Sequence, residues 1–184
     1  SGTSYAQAVS QTIQVNIASD TTPFLYPNQF CNFNADSNVV TVSDTITSGM
    51  TDPLKKVEAI YNYAVDNITY DNQKAATVQS GYLPNVDATL AQKKGICFDY
   101  AAVMTSMLRA QGIPTKLVIG YAGNVYHAWV SVYIQGQGWV DNIIYFDGTD
   151  WKLMDPTFVS SGKKSAEVLN YVSNPANYRQ KFCY

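Results

Sequence analysis

Apolar residues recur along the chain at two different periods, and these divide it into a helical first part and a strand-rich second part. Ile13, Val15 and Ile17 alternate with polar neighbours over residues 12–17, the period of a half-buried strand. Residues 19–37 carry no period. Asp52-Pro53 then opens a helix with a capping side chain followed by proline at the first helical position. Leu54, Val57, Ile60, Tyr61, Ala64, Val65 and Ile68 follow at helical spacing, and the helix ends over residues 67–70. Asp87 is placed to cap a short helix through Lys93, and Gly95 breaks it before the next element.

That next element is the most informative. From Cys97, the residues Tyr100, Val103, Met104, Met107 and Leu108 recur at helical spacing, and Gly112 with Pro114 supplies a stop. The spacing predicts a helix of about four turns with one buried face. Cys97 sits at its N-terminus, three residues before Tyr100 on the inward face. Residues 115–121 and 125–134 are rich in β-branched and aromatic side chains and read as strands. Residues 138–146 and 151–154 read as two more, joined through Asp147-Gly148, a strong hairpin signal. A short helix between Ser165 and Pro175 completes the prediction. Helices first and an antiparallel sheet after them indicate α+β rather than a doubly wound sheet.

Composition narrows the class. A chain of 184 residues fits one domain, expected to comprise an N-terminal strand and irregular extension (1–50), a catalytic core (51–160) and a tail (161–184). With 46% hydrophobic and 14% charged residues, burial can offset chain entropy, so disorder is excluded. Twelve Lys+Arg against fourteen Asp+Glu, with no basic stripe, argue against a nucleic-acid partner. No apolar run approaches the ~20 residues that span a bilayer. A start at Ser1-Gly2-Thr3 in place of Met fits either a removed leader or a few residues foreign to the natural chain, so export is neither indicated nor excluded by it.

The three Cys (31, 97, 183) and single His (127) contain no short-spaced Cys pair, so neither a zinc site nor a cofactor is indicated. Cys31 and Cys183 form a candidate disulfide that would close most of the chain, with three independent buried thiols as the alternative; if bridged, the protein works outside a reducing cytosol. Cys97 then stands apart. A helix N-terminus favours a thiolate, and the general base available to it is His127, midway along a predicted strand. Val125, His127 and Trp129 share one face of that strand and Tyr126, Ala128 and Val130 the other; if the Cys97 helix packs on the first face, thiol and imidazole meet. Asp155, at a strand end before Pro156, is the candidate acceptor that would fix the imidazole tautomer. Each residue alone has a plainer reading: an inert buried thiol, a hydrogen-bonded core histidine, a turn aspartate.

The blocks Gly95-Ile96-Cys97-Phe98-Asp99-Tyr100-Ala101, Leu108-Arg109-Ala110-Gln111-Gly112-Ile113-Pro114 leading to Gly120-Tyr121, His127-Ala128-Trp129-Val130 and Asp155-Pro156-Thr157 resemble, in content and order, the transglutaminase-like (transglutaminase core) superfamily. The resemblance covers about residues 53–160. It implies a papain-like fold and a Cys97-His127-Asp155 triad, a thioester intermediate, and a protein or peptide substrate. It also implies Tyr82, ahead of the nucleophile helix, as a candidate oxyanion or substrate-binding residue, beside the backbone N–H of Cys97. Trp129 would wall the site. Phe98 stands where animal cross-linking transglutaminases have Trp, and no calcium-binding array is present. The chain is therefore closer to compact bacterial members, many of them exported, which points to an extracellular or cell-envelope location. Three readings stay open: a thiol peptidase or amide hydrolase, which is favoured; a protein-glutamine acyltransferase; and an inactive peptide- or glycan-binding module.

Overall fold

The computed structural model describes residues 9–141, 145–146, 151–152 and 174–184. In chain order the elements are α1 (Asn38–Ile46), α2 (Pro53–Asn67), β1 (Thr69–Tyr70), α3 (Asn72–Thr77), α4 (Val86–Gln92), β2 (Lys94–Gly95) and α5 (Cys97–Ala110). They continue with β3 (Thr115–Ala122), β4 (Val125–Ile134), β5 (Gly138–Val140), β6 (Tyr145–Phe146), β7 (Trp151–Lys152) and β8 (Tyr178–Cys183). The main sheet has the order β5-β4-β3-β8 and is antiparallel throughout. β1 and β2 form a short parallel pair, and β6 pairs with β7 as the hairpin signal predicts, but the single strand expected over 138–146 is broken at Asp141, with β5 pairing β4 in the main sheet. The architecture is α+β, and no helix among the described residues is long and apolar enough to cross a membrane.

Helix α5 is the axis of the molecule. It starts at Cys97 as its periodicity predicts, but it is buried on all sides rather than on one: every residue from Asp99 to Arg109 is buried. α1, α2 and α4 and the strands β3 and β4 all pack against it. Tyr100, Val103, Met104, Met107 and Leu108 merge with Val57 and Ile60 of α2 and with Leu117, Val130 and Val132 of the sheet into one core. An apolar helix enclosed in this way needs no amphipathic pattern, which is why its polar Thr105 and Ser106 are also buried.

Several expectations are corrected. Residues 12–17 form no strand; Ile13 and Val15 are each 68% exposed, and among the described residues no strand pairs with them. The region assigned to an irregular extension contains α1, whose Val-Val-Thr-Val run argues against a helix by propensity. Tertiary contacts override that preference: Val39 and Ser43 are fully buried, and Ser43 Oγ donates to the Met107 carbonyl at 3.0 Å. Asp87 does not cap α4. Asn85 does, accepting from the Ala88 N–H at 2.9 Å, while Asp87 accepts from the Val39 N–H and so joins α4 to α1. β8 was not expected at all. The helix expected between Ser165 and Pro175, residues 153–154, and the Asp147-Gly148 turn lie outside the described residues.

The Cys31–Cys183 bridge is absent: both are free thiols, Cys31 buried and Cys183 exposed on β8. Cys31 Sγ donates to Asn28 Oδ1 at 3.3 Å and accepts from Arg109 Nη1 at 3.2 Å. Burial pushes the Cys31 thiol up, with the Arg109 charge and Asn28 drawing it only partly back. Arg109, 3% exposed, also donates to the carbonyls of Tyr26, Thr115 and Tyr184, so one guanidinium ties three chain segments to the end of α5.

Gly120 sets the approach of β8 to β3. A Cβ there would lie 2.1 Å from the Arg179 carbonyl oxygen and 2.8 Å from the Trp129 ring. Backbone cannot yield as a flexible side chain does, so Gly120→Ala is expected to destabilise the fold by about 1–3 kcal/mol or more. Urea denaturation measures this, and a midpoint equal to the parent's would show that β8 is not closely packed there.

Candidate active site

Cys97 is the first residue of α5 and is half-buried. The turn that delivers it depends on Gly95, where a Cβ would fall 2.6 Å from Asp99 Cβ. Asp99 in turn accepts the Ile96 N–H at Oδ2, 2.8 Å, and so caps the helix from inside its first turn. The thiol therefore occupies the positive end of a 14-residue helix whose start is fixed by glycine and aspartate.

The thiol opens into a cleft of about 720 Å³ that His127 borders from β4. The core face of β4 is nevertheless the one that does not carry His127. Ala128, Val130, Val132 and Ile134 belong to the core with α5, and strand alternation places His127 and Trp129 on the opposite face. His127 is 5% exposed and its ring stacks with Trp129, centroids 6.3 Å apart and planes 24° from parallel. Trp129 also meets Tyr178 of β8 edge-to-face at 5.3 Å, so it buttresses the histidine and the sheet rather than walling the cleft. Asp155 lies outside the described residues.

Tyr82 lines the cleft and forms a polar network that the sequence reading did not anticipate. Its hydroxyl donates to Asp99 Oδ1 at 2.5 Å and accepts from Lys74 Nζ at 2.6 Å; Lys74 Nζ also donates to Asp99 Oδ2 at 2.7 Å. A tyrosine has one proton to give, and in this arrangement it goes to Asp99 rather than into the cleft. Lys74 stacks its ammonium 4.3 Å from the Tyr82 ring centroid, and Asp99 is fully buried. The acid at the third helical position was a readable signal for the cap. Nothing in the spacing of 74, 82 and 99 announced the network. Of the basic pair ahead of the thiol, Lys94 pairs with Asp71 at 3.2 Å and Lys93 takes the left-handed conformation (φ 51°) that closes α4.

The network carries a pH signature. Burial and the hydrogen bond to Asp99 push the Tyr82 hydroxyl above its ordinary 10.0. Burial alone would lower Lys74, but its bonds to Asp99 and Tyr82 and the Asp99 charge outweigh that and leave it above 10.5. Both groups hold their protons more tightly folded than unfolded, so their support is complete below the unfolded values and is lost as pH rises through the folded ones. The thermal midpoint is therefore expected to fall once pH passes about 10, and a Lys74→Met, Tyr82→Phe variant to show a flatter fall. Parallel pH profiles for parent and variant would place the alkaline titration elsewhere.

A model of the transglutaminase-like superfamily matches residues 40–142. The chain is 29% identical to the uncharacterized protein YebA of Bacillus subtilis (strain 168) over 70% of its own length, and spans only 19% of that protein. A proposed cysteine protease from Cytophaga hutchinsonii superposes with a TM-score of 0.61 at 20% identity, over 92% of this chain and 48% of that one. The periplasmic domain of TgpA from Pseudomonas aeruginosa gives 0.52 at 23% identity, over 77% of this chain and 50% of that one. At these identities the two structures attest the fold.

Proposed function

Because the chain belongs to the transglutaminase-like superfamily, we propose that it is a thiol enzyme acting on peptide or carboxamide bonds, with Cys97 as nucleophile, His127 as general base and acid, and Asp155 as the group that orients the imidazole. The observation that carries this reading is that Cys97, at the N-terminus of α5, and His127 border one cleft. The Cys97 sulfur attacks the carbonyl carbon, forming a C–S bond. His127 takes the thiol proton and delivers it to the departing nitrogen as the C–N bond breaks, which leaves a thioester. The backbone N–H of Cys97, at the open end of α5, is the donor offered to the tetrahedral oxygen. Water then attacks the thioester, returning acid and free thiol. For the proton to move, the imidazole must reach the sulfur from its place on β4, so the role of His127 is directly testable.

Hydrolysis is favoured over acyl transfer because the cleft is open to solvent along an exposed rim at Leu83, Val125 and Tyr126, where water competes with any amine. A glutamine-rich unfolded protein incubated with a labelled primary amine, beside a Cys97→Ala control, separates the outcomes by mass. Cut peptides or deamidated glutamine that depend on Cys97 support the hydrolase, whereas incorporated amine in place of either supports the acyltransferase. Equal products from enzyme and control would overturn the catalytic reading and leave a binding module.

A further inference from the structure

The walls of the Cys97 cleft carry a chemical preference of their own. Among the described residues that line it, none is Asp, Glu, Lys or Arg. Lys74 and Asp99, behind Tyr82, are spent on each other and on its hydroxyl, and the Lys181 ammonium at the rim lies over the Phe182 ring, 5.5 Å from its centroid. Phe30, Tyr70 and Phe98 supply the floor beside the thiol, with Phe30 and Phe98 ring centroids 5.8 Å apart. The rim is more telling. Val78, Leu83, Val125, Tyr126 and Phe182 are large apolar side chains with 37–62% of their surface exposed, and all five line this cleft. They come from three distant parts of the chain: the segment after α3, the start of β4 and the edge strand β8. Exposed apolar surface that converges from three segments on one concavity marks a contact surface for an apolar ligand.

We infer that the enzyme selects substrates with an uncharged, bulky apolar or aromatic residue beside the scissile carbonyl and discriminates against both acidic and basic residues there. The inference rests on the thiol-enzyme reading above and adds the substrate class. Its physical basis is that a charged side chain entering the cleft loses hydration and finds no Asp, Glu, Lys or Arg partner among the described lining residues, whereas an aromatic one exchanges water for Phe98, Tyr82 or Leu83. The 720 Å³ volume accommodates several such side chains.

The test uses peptidyl chloromethyl ketones that differ only in the residue next to the ketone: Phe, Asp or Lys. Alkylation forms an S–CH2 bond and releases chloride, and peptide mapping reads each cysteine separately. The exposed thiol of Cys183, which does not itself line the cleft, supplies an internal reference rate. Normalised to Cys183, the Phe probe is expected to alkylate Cys97 about tenfold or more faster than either charged probe. Leu83→Lys, at a half-exposed rim position, should narrow the gap between Phe and Asp while leaving Lys disfavoured. Equal rates for all three probes would overturn the selectivity and leave the thiol enzyme standing. A Lys probe that matches Phe while Asp lags would also overturn it, since long-range charge rather than the wall would then decide. Iodoacetamide reacting no faster at Cys97 than at Cys183 would remove the thiol-enzyme reading itself, and the selectivity with it.

Discussion

Cys97→Ala is expected to reduce turnover to the uncatalysed background, and His127→Gln to lower it by about 10²–10⁴-fold with the fold intact. The asymmetry follows from the two roles. Without sulfur no thioester forms, whereas without imidazole a thiolate can still attack and only proton transfer is lost. Glutamine retains a polar side chain of similar reach at a position that is 5% exposed, so the loss is not one of packing. The direct reading is the rate of iodoacetamide alkylation at Cys97 against pH. At neutral pH the rate should be higher in the parent than in His127→Gln, whose thiol has no base beside it. Identical profiles would dissociate His127 from the thiol and leave its stacking on Trp129 as a structural role. Asp155→Asn should shift the same profile less than His127→Gln, as befits a group that acts through the imidazole.

This experiment also addresses what the sequence left undecided. The Cys97 helix, the two long strands and their order were legible, because Tyr100 to Leu108 hold a helical period and residues 115–134 are dense in β-branched and aromatic side chains. Which face of β4 meets the helix was not. Both faces of that strand are buried from His127 to Val132, and a strand buried on both sides carries no alternation to orient it. α1 was hidden for the opposite reason: its β-branched run speaks for a strand, and only burial against α5 makes it helical. β8 depends on a partner far upstream, β3, and its own exposure leaves no apolar period to detect. The cleft's rim was illegible too, since its apolar residues lie far apart in the chain and look like ordinary surface exceptions one at a time.

Removing the carboxylate of Asp99 is expected to cost more stability than any other single change in the site, about 3–5 kcal/mol for Asp99→Ala. The carboxylate is fully buried and serves three donors at once: the Ile96 N–H, the Tyr82 hydroxyl and the Lys74 ammonium. Without it the first turn of α5 loses its cap, a phenol loses its acceptor, and a partly buried ammonium keeps its charge with no counter-ion. Asp99→Asn preserves shape and one acceptor oxygen, so it should recover part of the loss. In a double-mutant cycle, removing Lys74 together with Asp99 should be less harmful than the sum of the separate losses, because no uncompensated cation remains. Denaturant melts of the four proteins measure this, and additive losses would show that the two charges do not stabilise each other. The same carboxylate also sets where the sulfur sits. It holds the turn before Cys97 through Ile96 and the wall of the cleft through Tyr82, so Asp99→Asn should slow Cys97 alkylation by the Phe probe even at temperatures well below its melting midpoint. A variant that melts early yet reacts at the parent's rate while folded would confine Asp99 to stability alone.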